Sequence, residues 1–405
     1  MTAQRNYTAK QWRHTQYASY FGYITQAIVN NLAPLLFLIF QDVYGIPLEK
    51  ITLLVTVNFC VQLLVDMVAA RFVDKIGYRP CIVAAHLFAA AGLAGLGLLP
   101  RLLPDPFVGL LGAVFLYAIG GGLIEVLISP IVEACPTDNK ASVMSLLHSF
   151  YCWGVVAVVL GSTLFFALFG VEHWRILALL WALVPFYNIF NFLTCPIERL
   201  VETGNGLGVK NLLRLPVFWL FVLLMACSDA AESAMAQWAS AFTEAAMGLP
   251  KTLGDLAGPC LFAVFMGLSR VFGAGMSRKL ELRRLMLVCG VLCAGGYLLA
   301  SLTPVPALGV AGCALCGFSV GIMWPGTISI ASRICPAGGT AMFALLALAG
   351  DLGGTIGPMS VGFVADLAGS DLKRGLLVAA VFPAILAAGL AALNRMTARR
   401  RSAEG

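Results

Sequence analysis

The chain has 405 residues, of which 60% are hydrophobic and only 11% are charged. A soluble globular domain carries about 25% charged residues, so these charges are too few to cover a water-facing surface. The net charge is +6, but the basic residues lie in short segments between apolar runs, which is typical of membrane topology and not of nucleic-acid binding. The composition therefore predicts a protein whose main solvent is the lipid bilayer, with no nucleic-acid partner.

Apolar segments of about 20 residues, long enough to cross the hydrocarbon core as helices, recur along the whole chain. We predict an all-α membrane protein with twelve transmembrane helices. The predicted spans are 15–42, 50–73, 81–100, 106–134, 141–170, 174–196, 216–247, 253–277, 285–303, 306–335, 339–367 and 374–394. Residues 1–196 then form an N-terminal six-helix half, 197–215 a cytoplasmic linker and 216–405 a C-terminal six-helix half.

The lysines and arginines predict the orientation of the chain. If both termini face the same side, 19 of the basic residues fall on that side and 6 on the other, with Arg270 left inside a span. Basic residues accumulate on the cytoplasmic side of membrane proteins. We therefore expect a multi-pass protein of the inner (cytoplasmic) membrane with both termini and the linker in the cytoplasm.

The two halves resemble each other weakly at an offset of about 200 residues. Gly121 aligns with Gly321, and Cys135-Pro136 aligns with Cys335-Pro336. Lys75 aligns with Lys279 at a slightly longer offset. Parallel repeats of this kind place the substrate site of a transporter near the midplane, between the halves. We therefore expect two pseudo-symmetric halves and a midplane site.

A loop between the second and third spans carries a recognisable motif. The segment Asp74-Lys75-Ile76-Gly77-Tyr78-Arg79-Pro80 resembles the D-[RK]-x-G-R-[RK] loop of the major facilitator superfamily, and Ser277-Arg278-Lys279 resembles a degenerate second copy. The resemblance implies the twelve-helix fold of that superfamily, a transporter and not an enzyme, and a gating role for Asp74, Lys75 and Arg79. Ala70 and Tyr78 depart from the family pattern, which implies a weaker cytoplasmic latch.

Five acidic residues fall inside predicted spans, where charged groups are costly and therefore functional candidates. They are Asp66, Glu125, Asp229, Glu232 and Asp351. Glu125 follows three consecutive glycines, and a carboxyl group held away from water can bind and release a proton near neutral pH. We expect Glu125 to couple transport to protons; the alternative is a structural carboxylate paired with a neighbour.

Spans four, five and seven resemble the fucose:proton symporter family more specifically. The matching residues include Glu125, the Leu146-Leu147-His148-Ser149-Phe150 segment, and Glu232 ahead of Trp238. The resemblance implies that Glu125 carries the proton and that His148 contacts the solute. Asn30-Asn31-Leu32 continues as Ala33-Pro34, so the span-one acid of the fucose transporter is absent and its substrate is not transferred to this chain.

Asp229 and Glu232 lie three residues apart on one helix face, where two carboxylates should not both stay ionised. We assign them a second coupling role. Amide and aromatic side chains could bind a sugar-like solute, although the aromatics could equally be packing residues. The substrate-binding candidates are Asn30, Asn31, His148, Tyr151, Gln237, Trp238 and Trp324, with Gln26 and Asn58 as further amides.

Asp66 and Arg270 correspond in the repeat, and we expect each to be a structural ion pair or gating element. Asp351 pairs with Arg270 or faces the cavity, and the sequence does not distinguish these alternatives. Cys313 and Cys316 form a C-x-x-C without a partner pair, so we assign them to packing and expect no metal site.

No phosphate-binding loop of the G-x-x-x-x-G-K-[ST] type occurs in the sequence, so transport would use an ion or solute gradient and not ATP. The leading hypothesis is proton-coupled uptake of a sugar or similar small polar solute by alternating access, without a cofactor and as a monomer. The alternative is a proton-coupled exporter of amphipathic compounds.

Overall fold

The computed structural model describes residues 7–46, 48–198, 200, 207–243, 247–248, 256–276, 280–369 and 371–404. All regular secondary structure in these residues is helical. The second motif copy, Ser277-Arg278-Lys279, and the centre of the predicted linker lie outside the described residues.

Sixteen α-helices are described. In chain order they are α1 Ala9–Leu35, α2 Phe37–Tyr44, α3 Leu48–Ile76, α4 Tyr78–Leu102, α5 Pro106–Ala134, α6 Lys140–Phe169, α7 Trp174–Thr194, α8 Val209–Leu212, α9 Pro216–Ala241, α10 Leu261–Met276, α11 Leu282–Leu302, α12 Pro306–Val320, α13 Met323–Ile334, α14 Gly339–Leu367, α15 Leu372–Ala379 and α16 Val381–Glu404. Short 3₁₀ turns precede α7 and α14, and a π-helical turn, Leu256–Cys260, precedes α10.

Eleven helical segments among the described residues are long and apolar enough to cross a membrane. The first helix is not among them, although its 27 residues exceed the length of a span. It contains Gln26, Asn30 and Asn31, which lower its hydropathy where the sequence predicted span one. The length of α1 together with the eleven apolar segments fits the predicted twelve-helix arrangement.

Several predicted spans are not single continuous helices. Span 306–335 consists of α12 and α13, which are separated at Gly321 and Ile322. Pro325 has no backbone N–H and cannot bond the carbonyl four residues earlier, which belongs to Gly321. The sequence motif Trp324-Pro325 therefore marks an interruption that leaves one carbonyl available at membrane depth.

The chain separates into two compact units. The first comprises Met1–Asp138, Phe150–Gly206 and Gly339–Ala344, and the second comprises Asn139–Ser149, Leu207–Gly338 and Leu345–Gly405. The beginning of α6, with His148, therefore belongs to the second unit. The beginning of α14, with Thr340, belongs to the first.

Glycines bring α4 and α5 into close backbone contact within the first unit. A Cβ atom on Gly120 would lie 2.5 Å from the carbonyl oxygen of Ala85, and one on Gly92 would overlap the backbone of Tyr117. Small residues permit this close approach of helices in membranes, where van der Waals packing drives association. The contact fixes α5, the helix that carries Glu125.

We predict that Gly120→Val lowers the free energy of unfolding by about 1–3 kcal/mol, because the added side chain forces the two helices apart. Gly295→Val is the matched control, since a Cβ at Gly295 has no neighbour within 4 Å. Thermal unfolding can be followed with a thiol-reactive dye, because most of the cysteines are buried. Equal unfolding temperatures for the two variants would contradict this packing role.

Candidate functional site

Polar side chains from three helices meet inside the first unit. Gln26 and Asn30 lie one turn apart on α1, Asn58 and Gln62 lie one turn apart on α3, and Glu125 lies on α5. The spacing of four residues places each pair on one helix face. We call the four amides together with Glu125 the amide network.

The amide network is connected by short hydrogen bonds. Gln62 Nε2 donates to Asn30 Oδ1 and to Asn58 Oδ1, each at 2.9 Å, and Asn58 Nδ2 donates to Asn30 Oδ1 at 3.2 Å. Gln26 Nε2 donates to Gln62 Oε1 at 3.0 Å and to Glu125 Oε2 at 3.2 Å. A continuous chain of hydrogen bonds thus runs from the carboxylate of Glu125 to Asn30.

The three glycines before Glu125 make room for this network. A Cβ on Gly121 would lie 3.2 Å from Gln26 Oε1 and 3.2 Å from the side-chain carbonyl carbon of Gln62, and a Cβ on Gly122 would crowd Val65. Gly120 faces α4 instead. The consecutive glycines therefore pack α5 against three neighbouring helices at the level of Glu125.

The second unit is organised around the guanidinium group of Arg270. Arg270 Nη2 lies 3.1 Å from Glu232 Oε2, Nη1 donates to the carbonyl of His148 at 3.1 Å, and Nε donates to the carbonyl of Gly321 at 3.2 Å. The last acceptor is the carbonyl that Pro325 leaves available. Among the lysines and arginines whose side chains the structure describes, Arg270 alone is buried.

Two further acids belong to this cluster. Asp229 interacts electrostatically with Glu232, Asp351 and Arg270, and it packs against Gly354 on α14. The hydroxyl of Ser233 lies 3.5 Å from Asp229 Oδ2. We call Asp229, Glu232, Arg270 and Asp351 the acid–arginine cluster.

The ion pair between Glu232 and Arg270 was not predicted. From the sequence, Glu232 is grouped with Asp229, and Arg270 with Asp66 or Asp351. An acid in span seven and the one cation left inside a span were the signal that could have suggested the pair. Asp66 is fully buried in the first unit.

The other predicted solute-binding residues lie outside the amide network. Trp238 Nε1 donates to the carbonyl of Pro358 at 2.9 Å, and Trp324 packs against Gly350. Asn31 donates to the carbonyl of Ala27 in its own helix at 2.9 Å. Gln237 is exposed and Tyr151 is half-buried. Neither Gln237 nor Asn31 joins the amide network, because Gln237 is exposed and Asn31 bonds within its own helix.

Gln62 is the member of the amide network that was not predicted from the sequence. It lies four residues after Asn58 and four before Asp66, so the three side chains form a polar stripe along one face of α3. That periodicity was the available signal.

Among the described residues, no group of three or more His, Cys, Asp or Glu side chains is arranged to hold a metal ion.

The predicted gating loop forms a compact set of contacts within the first unit. The hydroxyl of Thr340 lies 2.6 Å from Asp74 Oδ1 and 2.6 Å from the hydroxyl of Tyr78. Because a hydroxyl has one hydrogen to donate, Thr340 donates to Asp74 and accepts from Tyr78. Tyr78, which departs from the family pattern, thus extends the contact made by Asp74.

The two basic residues of the loop, Arg79 and Lys75, make different contacts. Arg79 donates to the carbonyls of Phe192, Leu193 and Cys195 at 2.7–2.8 Å, and so satisfies the end of α7. Lys75 is exposed, and its Nζ lies 5.8 Å from the centroid of the Phe72 ring.

Comparison with known families decides the classification. The family model of the Major Facilitator Superfamily matches residues 19–358 and 260–404. The chain belongs to the Major Facilitator Superfamily. It is a transporter of that family and not an enzyme, which confirms the prediction from the loop motif. Among the curated proteins, no sequence matches this chain.

Solved structures of this superfamily have the same fold. The fucose:proton symporter FucP of E. coli has a TM-score of 0.78 at 15% identity, with 94% of this chain and 98% of that chain covered. The proton:xylose symporter XylE has a TM-score of 0.79 at 12% identity, with coverages of 94% and 95%. The human organic anion transporter MFSD10 has a TM-score of 0.70 at 16% identity, with coverages of 94% and 99%. At these identities the similarity establishes the fold and leaves the solute open.

We predict that Glu232→Leu lowers the free energy of unfolding by about 3–5 kcal/mol, because it leaves the buried guanidinium of Arg270 without its ion pair. The double variant Glu232→Leu/Arg270→Met should recover much of this loss in thermal unfolding. Glu281→Leu is the control: its pair with Arg284 is exposed, and its loss should cost less than about 1 kcal/mol. Similar losses of unfolding free energy in Glu232→Leu and Glu281→Leu would contradict the prediction that the buried ion pair stabilises the fold more than the exposed one.

Proposed function

We propose that this transporter couples the uptake of a sugar or similar small polar solute to protons by alternating access. The observation that carries the proposal is the hydrogen-bonded connection between Glu125 and the amides of Gln26, Gln62, Asn30 and Asn58. It joins a proton-binding group to groups that recognise hydroxyls.

The chemistry of the network favours a polar solute. Amide groups both donate and accept hydrogen bonds, which suits the hydroxyls of a sugar, whereas an amphipathic compound needs an apolar pocket. FucP is a fucose:proton symporter and XylE is a proton:xylose symporter. The exporter of amphipathic compounds is therefore the weaker alternative.

Gln26 is placed to transmit the protonation state of Glu125. Its Nε2 donates to both Glu125 and Gln62, while its Oε1 is buried and accepts no hydrogen bond. This orientation suits an ionised Glu125, which only accepts. A protonated Glu125 has an O–H to donate, and rotation of the Gln26 amide brings Oε1 to it as the acceptor.

Rotation of the Gln26 amide changes the hydrogen bonds that the neighbouring amides can form. Gln62 Oε1 loses its donor, and Gln62 regains a bond to Gln26 by turning its own NH₂ toward Gln26 Oε1. That second rotation removes the donor of Asn58 Oδ1 and one of the two donors of Asn30 Oδ1, and it turns Gln62 Oε1 toward both oxygens. These amides therefore reorient as well. Protonation of Glu125 thereby alters the hydrogen-bonding groups available to the solute, and this is the proposed coupling step.

The acid–arginine cluster supplies a second proton-linked element. It holds three carboxyl groups and one guanidinium group, so full ionisation would give these four side chains a net charge of −2 in a poorly hydrated environment. Protons on Asp229 or Asp351 relieve this excess, while Glu232 stays paired with Arg270. A cationic solute would relieve it as well.

The remaining features of the proposal follow from the sequence. The chain functions as a monomer in the inner membrane, with six-helix halves at 1–196 and 216–405 and both termini in the cytoplasm. Asp74, Lys75 and Arg79 take part in gating, and neither a cofactor nor a metal is required because the proton gradient drives transport.

The test of coupling begins with a thermal-shift screen of hexoses, pentoses, nucleosides and organic acids to identify a solute. In proteoliposomes with an imposed pH gradient, Glu125→Gln should abolish accumulation of that solute but preserve its exchange, because the amide cannot carry a proton. Glu172→Gln, a change at an exposed acid, should leave both intact. Unchanged gradient-driven uptake in Glu125→Gln would contradict the assignment.

The relay through Gln26 makes a separate prediction. Between acidic and alkaline pH, we expect the wild-type affinity for the solute to change by about 5- to 150-fold, the usual range for coupled sites. Gln26→Met keeps the side-chain length but removes the amide, so this ratio should fall close to one. Solute binding is measured at both pH values, with Gln237→Met at an exposed amide as the control. A wild-type ratio in Gln26→Met would refute the relay while leaving Glu125 as the proton carrier.

A further inference from the structure

A long apolar groove runs along the surface of the first unit. Its volume is about 590 Å³, and every residue that lines it is apolar. The walls and floor come from α3, α4 and α5, and include Leu64, Val68, Phe72, Ala84, Phe115 and Ile119. No part of the proposed proton or solute pathway uses this groove.

The dimensions of the groove suit a hydrocarbon chain. Along α3 it extends from Val61 to Ile76, which at 1.5 Å per residue is about 22 Å. One leaflet of a bilayer contributes about 15 Å of hydrocarbon. Leu64 and Val68 are more than half exposed, so the groove is open along its length to whatever surrounds the helix.

Two positively charged side chains, Arg71 and Lys75, lie at one end of the groove. Residues 64, 68, 71 and 75 lie on one face of α3, so Arg71 and Lys75 follow directly after the lining residues Leu64 and Val68. The Nζ atom of Lys75 lies 5.8 Å from the ring centroid of Phe72, which lines the groove.

These two cations have no acidic partner in the part of the chain that the structure describes. The ion pairs among the described residues involve other side chains, and neither Arg71 nor Lys75 forms one. Both side chains are exposed. Asp74, the nearest acid in sequence, is bonded to Thr340.

We propose that the groove binds one acyl chain of an anionic phospholipid, whose phosphate group contacts Arg71 and Lys75. The apolar walls take the chain, and the two cations select a negatively charged headgroup over a zwitterionic one. Lys75, which we propose takes part in gating, thereby also acts as a lipid ligand. The site does not depend on which solute the protein carries.

Native mass spectrometry of the full-length protein in detergent tests the headgroup contact. Phosphatidylglycerol and phosphatidylcholine with the same acyl chains are added in equal amounts. The wild type should retain phosphatidylglycerol in preference. Arg71→Gln/Lys75→Gln should reduce that preference by about 5- to 30-fold, as expected for the loss of one or two cations near a membrane surface.

The matched control removes two cations near the beginning of α3 and the end of α4, away from Arg71 and Lys75. Lys50 begins α3 and lies 5.7 Å from the ring centroid of Phe107, and Arg101 ends α4. Lys50→Gln/Arg101→Gln removes the same charge and should keep the preference. Equal binding of both lipids by the wild type, or equal losses in the two double variants, would overturn the headgroup assignment.

Filling the groove tests the acyl-chain contact. Ala84→Phe should reduce retention of both lipids, whereas Ala91→Phe, at an exposed position of α4 outside the groove, should not. If Ala84→Phe lowers the unfolding temperature, Val68→Phe provides a second filling variant at an exposed lining position. Retention of phosphatidylglycerol at the wild-type level in a folded filling variant would place the lipid elsewhere and overturn the proposal.

Discussion

A polar side chain inside the hydrocarbon core of a bilayer is stable only when another protein group replaces the water that it has lost. The arrangement of this chain follows from that constraint. In the first unit, amides on α1 and α3 bond to one another and to Glu125. In the second unit, Arg270 bonds to Glu232 and to two backbone carbonyls. Both clusters replace water with protein partners, but with different chemistry.

Backbone features of the helices make these partners available. Pro325 interrupts a span and leaves the carbonyl of Gly321 for Arg270. The glycines at 120–122 let α5 approach its neighbours closely enough for Glu125 to reach Gln26. Helix-breaking and small residues are tolerated in membrane helices where other groups compensate for them. Here they are the residues that position the candidate site.

The fold could be predicted from the sequence because the length of the apolar segments and the loop motif at Asp74 each constrain it directly. Individual acids at membrane depth could also be found, since charges there are rare. Their partners could not, because Glu232 and Arg270 are 38 residues apart in the chain and pair only through helix packing. Gln62 was missed for a related reason: an amide in a span attracts less attention than a charge, although its spacing from Asn58 and Asp66 was visible.

The two clusters differ in their charge. The amide network joins four neutral amides to a single acid, whereas the acid–arginine cluster holds three acids and one arginine. None of the residues that line the apolar groove between α3, α4 and α5 belongs to either cluster. Within the two clusters, Glu125, Glu232 and Arg270 each bond to a protein partner.

The central claim is that Glu125 binds and releases a proton within the folded protein. Infrared difference spectra between acidic and alkaline pH test it most directly, because a protonated carboxyl group has its own C=O band. The wild type should show a carboxyl band that appears at acidic pH and is missing in Glu125→Gln, while the bands of the other acids remain. Identical difference spectra for the two proteins would contradict the claim.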